Sequence, residues 1–194
     1  MHAELDATAS HSLISVEHFR ALSGPDTTEL NSNVELIDGV IYDLPPDADI
    51  HANVLDRLIE EVINGCANQA IVRVQSTIEL GSLSALMPDI SLIRRNAQGN
   101  APAVPSAQDA LVVMEVVDDA LPYFYETKSE LYAYHGIPEL WLLDIPNRRF
   151  TLFREPSDKG YQQKLDLSQF SSLSPRALPE VSINIARVLE TMAG

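Results

Sequence analysis

The chain has 194 residues, 45% of them hydrophobic, with 28 Asp and Glu against 13 Lys and Arg and a formal net charge of −15. That length suits a single domain with a substantial core, while the charge excludes broad, sequence-independent binding to nucleic acid, which needs Lys and Arg to neutralise phosphates. A local, ion-assisted site for a polyanion stays open. No uncharged apolar run reaches the length of about 18 residues that a membrane span needs, and MHAELDATAS lacks the basic and apolar regions of a signal peptide. A soluble, cytoplasmic protein with no membrane partner is therefore expected.

In chain order, residues 1–12 show no periodic pattern and are expected to be flexible. Ser15 can cap a short helix, VEHFRAL, that ends near Ser23-Gly24-Pro25. Val34 to Tyr42 is two apolar runs around Asp38-Gly39, a strong hairpin signal with a type I′ turn, because both central residues tolerate positive φ. Glu35 then shares a face with Ile37 and not with Leu36. Pro45-Pro46-Asp47 breaks the chain, and Asp49 to Asn64 follows as an amphipathic helix with Val54, Leu55, Leu58, Ile59, Val62 and Ile63 on one side. His51 lies at its start, and a lone histidine there is more often a surface or supporting residue than a catalyst. Cys66, the single cysteine, excludes an intrachain disulfide and a cysteine-rich metal site, and reads as buried filler.

Ala70 to Leu80 and Pro88 to Ile93 read as two strands, joined as a hairpin around Gly81-Ser82. A polar loop, RRNAQGNAPAVPSAQ, follows. Leu111 to Val117 is six apolar residues interrupted by Glu115, a strand buried on both faces. In the next segment Phe124, Lys128 and Leu131 fall at helical spacing, so a lysine occupies the stripe that should face the sheet. Gly136 stops that helix and ELWLLDI returns as a strand, a parallel βαβ order that brings Glu115 and Lys128 together. Beyond Pro146-Asn147, RRFTLFRE and YQQKLDL suggest a meander, and INIARVLETMA a short amphipathic helix.

Glu35, Asp89, Glu115 and Lys128 are the chemistry candidates, with His51 behind them. Carboxylates opening one strand and interrupting its neighbour, beside a lysine, are parts of a site for a hard cation, Mg²⁺ or Mn²⁺, which takes few carboxylates and keeps several waters. Such an ion orients a phosphodiester and lowers the pKa of a bound water. Lysine beside it can position or deprotonate that water. The plainer alternative is structural: Lys128 snorkelling to solvent, and Glu115 ending its strand in an ion pair.

The order ELIDG, PDISLI, LVVMEVV, then K-x-x-x-Y with GIPELWLLD resembles the Uma2 family of bacterial proteins, a branch of the PD-(D/E)XK restriction-endonuclease-like superfamily. The resemblance spans about residues 13–190. It implies one α/β (α+β) nuclease-like domain over residues 1–194, with a restriction-endonuclease-like core: a central mixed β-sheet flanked by helices, with an N-terminal β-hairpin. It further implies that Asp89 and Glu115 ligate Mg²⁺ or Mn²⁺ with the main-chain carbonyl of Val116 as third ligand. By the same match Lys128 is the catalytic lysine, Glu35 the N-terminal acidic residue, and His51 stands where the family commonly has a histidine.

The chain departs from the superfamily pattern in two places. The position two residues after Glu115 is Val117, so the lysine has moved to Lys128. The Ser-Pro-Ser/Thr run expected after the glutamate is Asp118-Asp119-Ala120, and the polar and basic residues expected before the lysine are Pro122-Tyr123-Phe124-Tyr125. Extra carboxylates favour a cation and repel a phosphate backbone. The implied function is a metal-dependent endonuclease hydrolysing DNA phosphodiesters, leaving a 5′-phosphate as related nucleases do. The alternatives are a non-catalytic interaction or regulatory module, with a homo-oligomer such as a dimer suited to the acidic surface, and a hydrolase of a smaller phosphate ester.

Overall fold

In the computed structural model of the chain, the described residues are 13–23, 33–44, 46, 48–118, 122–167 and 172–192, with backbone alone for 122–124. Residues 1–12, Gly24, Pro25, Pro45, Asp47, Asp119 and Ala120, on which sequence expectations fell, lie outside them, as do the side chains of Pro122, Tyr123 and Phe124.

The apolar run around Glu115 forms strand β7 (Ala110–Val117), buried along its whole length, in the middle of a mixed sheet. Numbering the strands in chain order, that six-stranded sheet contains β3 (Ile71–Val74), β6 (Ile90–Ile93), β7, β8 (Glu139–Asp144), β9 (Arg149–Ser157) and β10 (Gly160–Asp166), in the order β10-β9-β8-β7-β6-β3. Helix α3 (Pro122–Tyr134) carries the chain from β7 to β8, which pair in parallel with Glu115 opposite Leu142. Every other pairing in the sheet is antiparallel. The helix ends as the glycine requires: Gly136 takes φ +78°, its N–H donates to Ala133, and Ile137 N–H donates to Tyr132 O. These are the two bonds of a Schellman cap.

Alternation along β7 sends its side chains to two cores. Val112, Met114 and Val116 pack with helix α2 (Asp49–Cys66) and helix α4 (Ile185–Thr191), while Val113 packs with Leu131, Tyr132 and Ile137 on the α3 side. Glu115 therefore belongs to the α3 side. There it meets a second sheet, four antiparallel strands in the order β2-β1-β5-β4, made of β1 (Val34–Ile37), β2 (Val40–Asp43), β4 (Ile78–Leu80) and β5 (Ser84–Leu86). The expected hairpin is β1–β2, with φ +48° at Asp38 and +80° at Gly39. Helix α1 (Val16–Leu22), capped by the Ser15 hydroxyl, closes over β1 and β5 through Val16 and Phe19.

One strand assignment needs correction. Ala70 to Leu80 is two strands, not one: the backbone turns at Gln75 with φ +42°, β3 stays in the large sheet beside β6, and β4 leaves for the small one. The turn at Gly81-Ser82 joins β4 to β5, so the partner of Ile90–Ile93 is β3 from farther back. The alternation VRVQSTIEL runs across the break without a breaker residue, which is why it reads as continuous. The C-terminal helix starts two residues later than its apolar pattern, because Asn184 caps it by accepting from Arg187 N–H.

Candidate active site

Strand β7 places Glu115 against one face of α3, and strand β1 brings Glu35 to the same place from the small sheet. Lys128 lies between them: its Nζ donates to Glu115 Oε1 at 2.7 Å and to Glu35 Oε1 at 3.0 Å, with all three side chains at most 4% exposed. The sequence expectation that Lys128 sits on the stripe facing the sheet is met, and snorkelling is not what it does. Burial works to lower the Lys128 pKa, but Glu115, Glu35 and Asp89 together outweigh it and hold the ammonium above its ordinary value. In the ion-free chain Lys128 is thus a buried cation that donates to both carboxylates. Burial is also the largest influence on Glu115, whose pKa is pushed up to about 7 by desolvation and by Asp89 and Glu35, against the pull of Lys128.

Asp89 immediately precedes β6, and its carboxylate reaches past the end of that strand. Its Oδ2 accepts from Val116 N–H at 2.8 Å and its Oδ1 lies 3.3 Å from His51 Nε2. His51, in the first turn of α2, thus touches the Asp89 carboxylate. Val117 O accepts from Ile145 N–H on the β8 side, so the peptide groups of Val116 point the other way, toward Asp89. Among the described residues the Val116 carbonyl receives a single long side-chain bond, 3.4 Å, from Tyr125 Oη.

Three contacts had no role assigned in the sequence: Tyr132, which stood there only as the last residue of the K-x-x-x-Y run, Tyr125 and the Met87 amide. Tyr132 Oη donates to Glu115 Oε1 at 2.7 Å and Met87 N–H donates to Glu35 Oε1 at 2.7 Å. Tyr125 lines a cavity of about 450 Å³ with Asp118, Glu126, Leu142, Asp144 and Phe153. The only usable signal was spacing, since Tyr132 is four residues after Lys128 and shares its helical face. Another buried acid, Glu139, shows what a structural carboxylate looks like in this chain: Trp141 Nε1, Arg154 and Arg176 N–H supply donors to both its oxygens. Glu35 differs, because its Oε2 is buried with no hydrogen-bond partner among the described residues. An orphaned carboxylate oxygen at 0% exposure is costly and marks a place where the chain tolerates strain.

The model of the family described as "Uma2: Putative restriction endonuclease" matches residues 16–186. The chain belongs to the Uma2 family. A solved structure titled as a putative nuclease belonging to DUF820, from Anabaena variabilis ATCC 29413, superposes on this Uma2 chain with a TM-score of 0.72. It covers 92% of this chain and 99% of its own, at 17% identity, which shows a shared fold. A DrdV–DNA complex determined by cryo-EM aligns over 74% of this chain and 13% of its own, with 12% identity and a TM-score of 0.36. No curated protein matches the chain.

Whether this Uma2 chain suits a divalent ion can be judged from its own donors. Three carboxylates, Glu35, Asp89 and Glu115, face one ammonium in a site nearly closed to water, an acidic excess that a cation would offset. Asp89, Glu115 and the Val116 carbonyl offer hard oxygen atoms only. Among the described residues no three His, Cys, Asp or Glu side chains form a ready-made cage. Hard oxygen donors of this kind are those that Mg²⁺ or Mn²⁺ would take, through one or two carboxylates with waters completing the shell.

Proposed function

We propose that this protein is a divalent-ion-dependent nuclease that hydrolyses phosphodiester bonds of DNA at the Glu115–Lys128 cluster. The observation that carries the reading is the buried lysine shared by two carboxylates, one of them with an orphaned oxygen, beside a third carboxylate at the end of the neighbouring strand. In this reading Asp89 and Glu115 hold Mg²⁺ or Mn²⁺ with the Val116 carbonyl. The ion would lower the pKa of a bound water and offset charge on the phosphoryl oxygens. Lys128, kept protonated by its carboxylates, orients the attacking water or donates to a phosphoryl oxygen. Glu35 anchors Lys128 from the far side, and His51 holds Asp89 in place. Glu115 serves as an anion in this reading: in the ion-free chain burial pushes its pKa up to about 7, and a bound cation would lower it again.

The test is cleavage of plasmid and oligonucleotide DNA by purified protein with Mg²⁺ or Mn²⁺. Lys128→Ala and Asp89→Ala should each lower the rate by about 100-fold or more while circular dichroism shows a folded chain, the scale expected when a transition-state contact is lost. Absence of cleavage by the parent protein, or equal rates in the variants, would refute the proposal. A second reading, an interaction module that keeps the fold without catalysis, is favoured by the acidic rim beside the site, where Asp118, Glu126, Glu130 and Asp144 would repel a phosphate backbone. It requires Lys128→Ala to alter stability alone.

A further inference from the structure

We infer that Tyr132 is a positioning residue of the centre, and that its hydroxyl sets which oxygen of Glu115 is left to bind the ion. The inference rests on the metal-centre reading above. Its starting point is that two donors converge on one atom. Lys128 Nζ and Tyr132 Oη each lie 2.7 Å from Glu115 Oε1, and among the described residues no donor reaches Oε2. Hydrogen bonds this short to a carboxylate are the strong, charge-assisted kind.

The two donors are not equivalent. Lys128 is shared with Glu35 and hangs on a flexible stem, so it fixes a charge better than an angle. Tyr132 has a rigid ring packed at 0% exposure among Leu131, Ile137, Val113 and Leu140, and its hydroxyl has little freedom to follow Glu115 if that side chain rotates. Because residues 128 and 132 are one helical turn apart, α3 presents both donors along a single line. Glu115 is gripped by Oε1 from the helix side, and its remaining oxygen keeps its lone pairs for a ligand. A tyrosine is also what this stripe tolerates: its ring satisfies the core and only its oxygen carries information.

A buried phenol needs an acceptor in any case, so the test must separate positioning from mere satisfaction. Tyr132→Phe keeps the ring and removes the hydroxyl. Binding of Mn²⁺ to the full-length protein, followed by the loss of the free-ion paramagnetic resonance signal, should weaken by about 10-fold to 100-fold, the range for supporting contacts to metal ligands. In the ion-free protein the titration midpoint of the Glu115 carboxyl carbon should move upward, since a donor to the charged form is gone. If Phe at this position prevents folding, Tyr132→Met fills the space without a hydroxyl. Unchanged Mn²⁺ affinity in a folded variant overturns the inference, whether or not the Glu115 midpoint moves. With Asp89→Asn abolishing binding in the same series, that result leaves the metal centre standing. A parent protein that binds no Mn²⁺ removes the proposed function and this inference together, and the two failures are thereby told apart.

Discussion

At the scale of single residues, the candidate cluster was legible where a charge contradicted its pattern. Glu115 in an apolar run and Lys128 on an apolar stripe had no solvent to reach, and they meet. Asp89 and Glu35 were marked by the strands they open or share. Tyr125 and the Met87 amide carried no role there, and Tyr132 stood only as the end of the K-x-x-x-Y run, for the opposite reason: a tyrosine on a buried stripe and a backbone N–H violate nothing. The charges also make a stability prediction. Glu115 titrates near 7 in the fold against an ordinary 4.5, so between those values the folded chain keeps a proton that the unfolded chain has released. The ion-free protein should therefore lose stability as pH rises from about 4.5 to about 7, and Glu115→Gln should flatten that slope in urea titrations. Lys128→Met leaves Glu115 and Glu35 buried without their cation. It should cost about 3 kcal/mol or more at pH 8, and less at pH 5 where Glu115 is protonated.

Elements whose signal is local were read correctly. Asp38-Gly39 makes its hairpin with both residues at positive φ, Ser15 caps α1, and Gly136 ends α3. What failed depended on partners distant in sequence. Nothing in Ala70 to Leu80 says that its first half will pair with β6 and its second half with β5, because both halves alternate equally well. Nor does the hairpin announce that it is half of a second sheet that delivers Glu35 to Lys128. Helix α2 offers a test of such distant packing. A Cβ on Gly65, in its last turn, would lie 2.5 Å from Ser182 O and 3.0 Å from Ile183 Cγ1, where the chain leads into α4. Helix propensity alone favours Gly65→Ala by up to about 1 kcal/mol. Crowding against backbone should outweigh this and lower stability by about 1–3 kcal/mol, measured by thermal melting.

For the whole molecule, a net charge of −15 disfavours a broad electrostatic hold on DNA, and the proposed contact is local to the centre. The logarithm of DNA affinity should fall with the logarithm of salt at a slope of about −2 or shallower, as for two phosphate contacts or fewer. Glu126 and Glu130 rim the cavity beside Tyr125, and replacing both by lysine should strengthen binding and steepen the slope by about 2 if DNA passes there. The most direct measurement is anomalous diffraction from a crystal soaked in Mn²⁺. A peak coordinated by Asp89, Glu115 Oε2 and the Val116 carbonyl, with Lys128 still on Glu115 Oε1, is the expected result. A fully soaked crystal with no peak there, or with the ion bound elsewhere, would contradict a metal centre at this site.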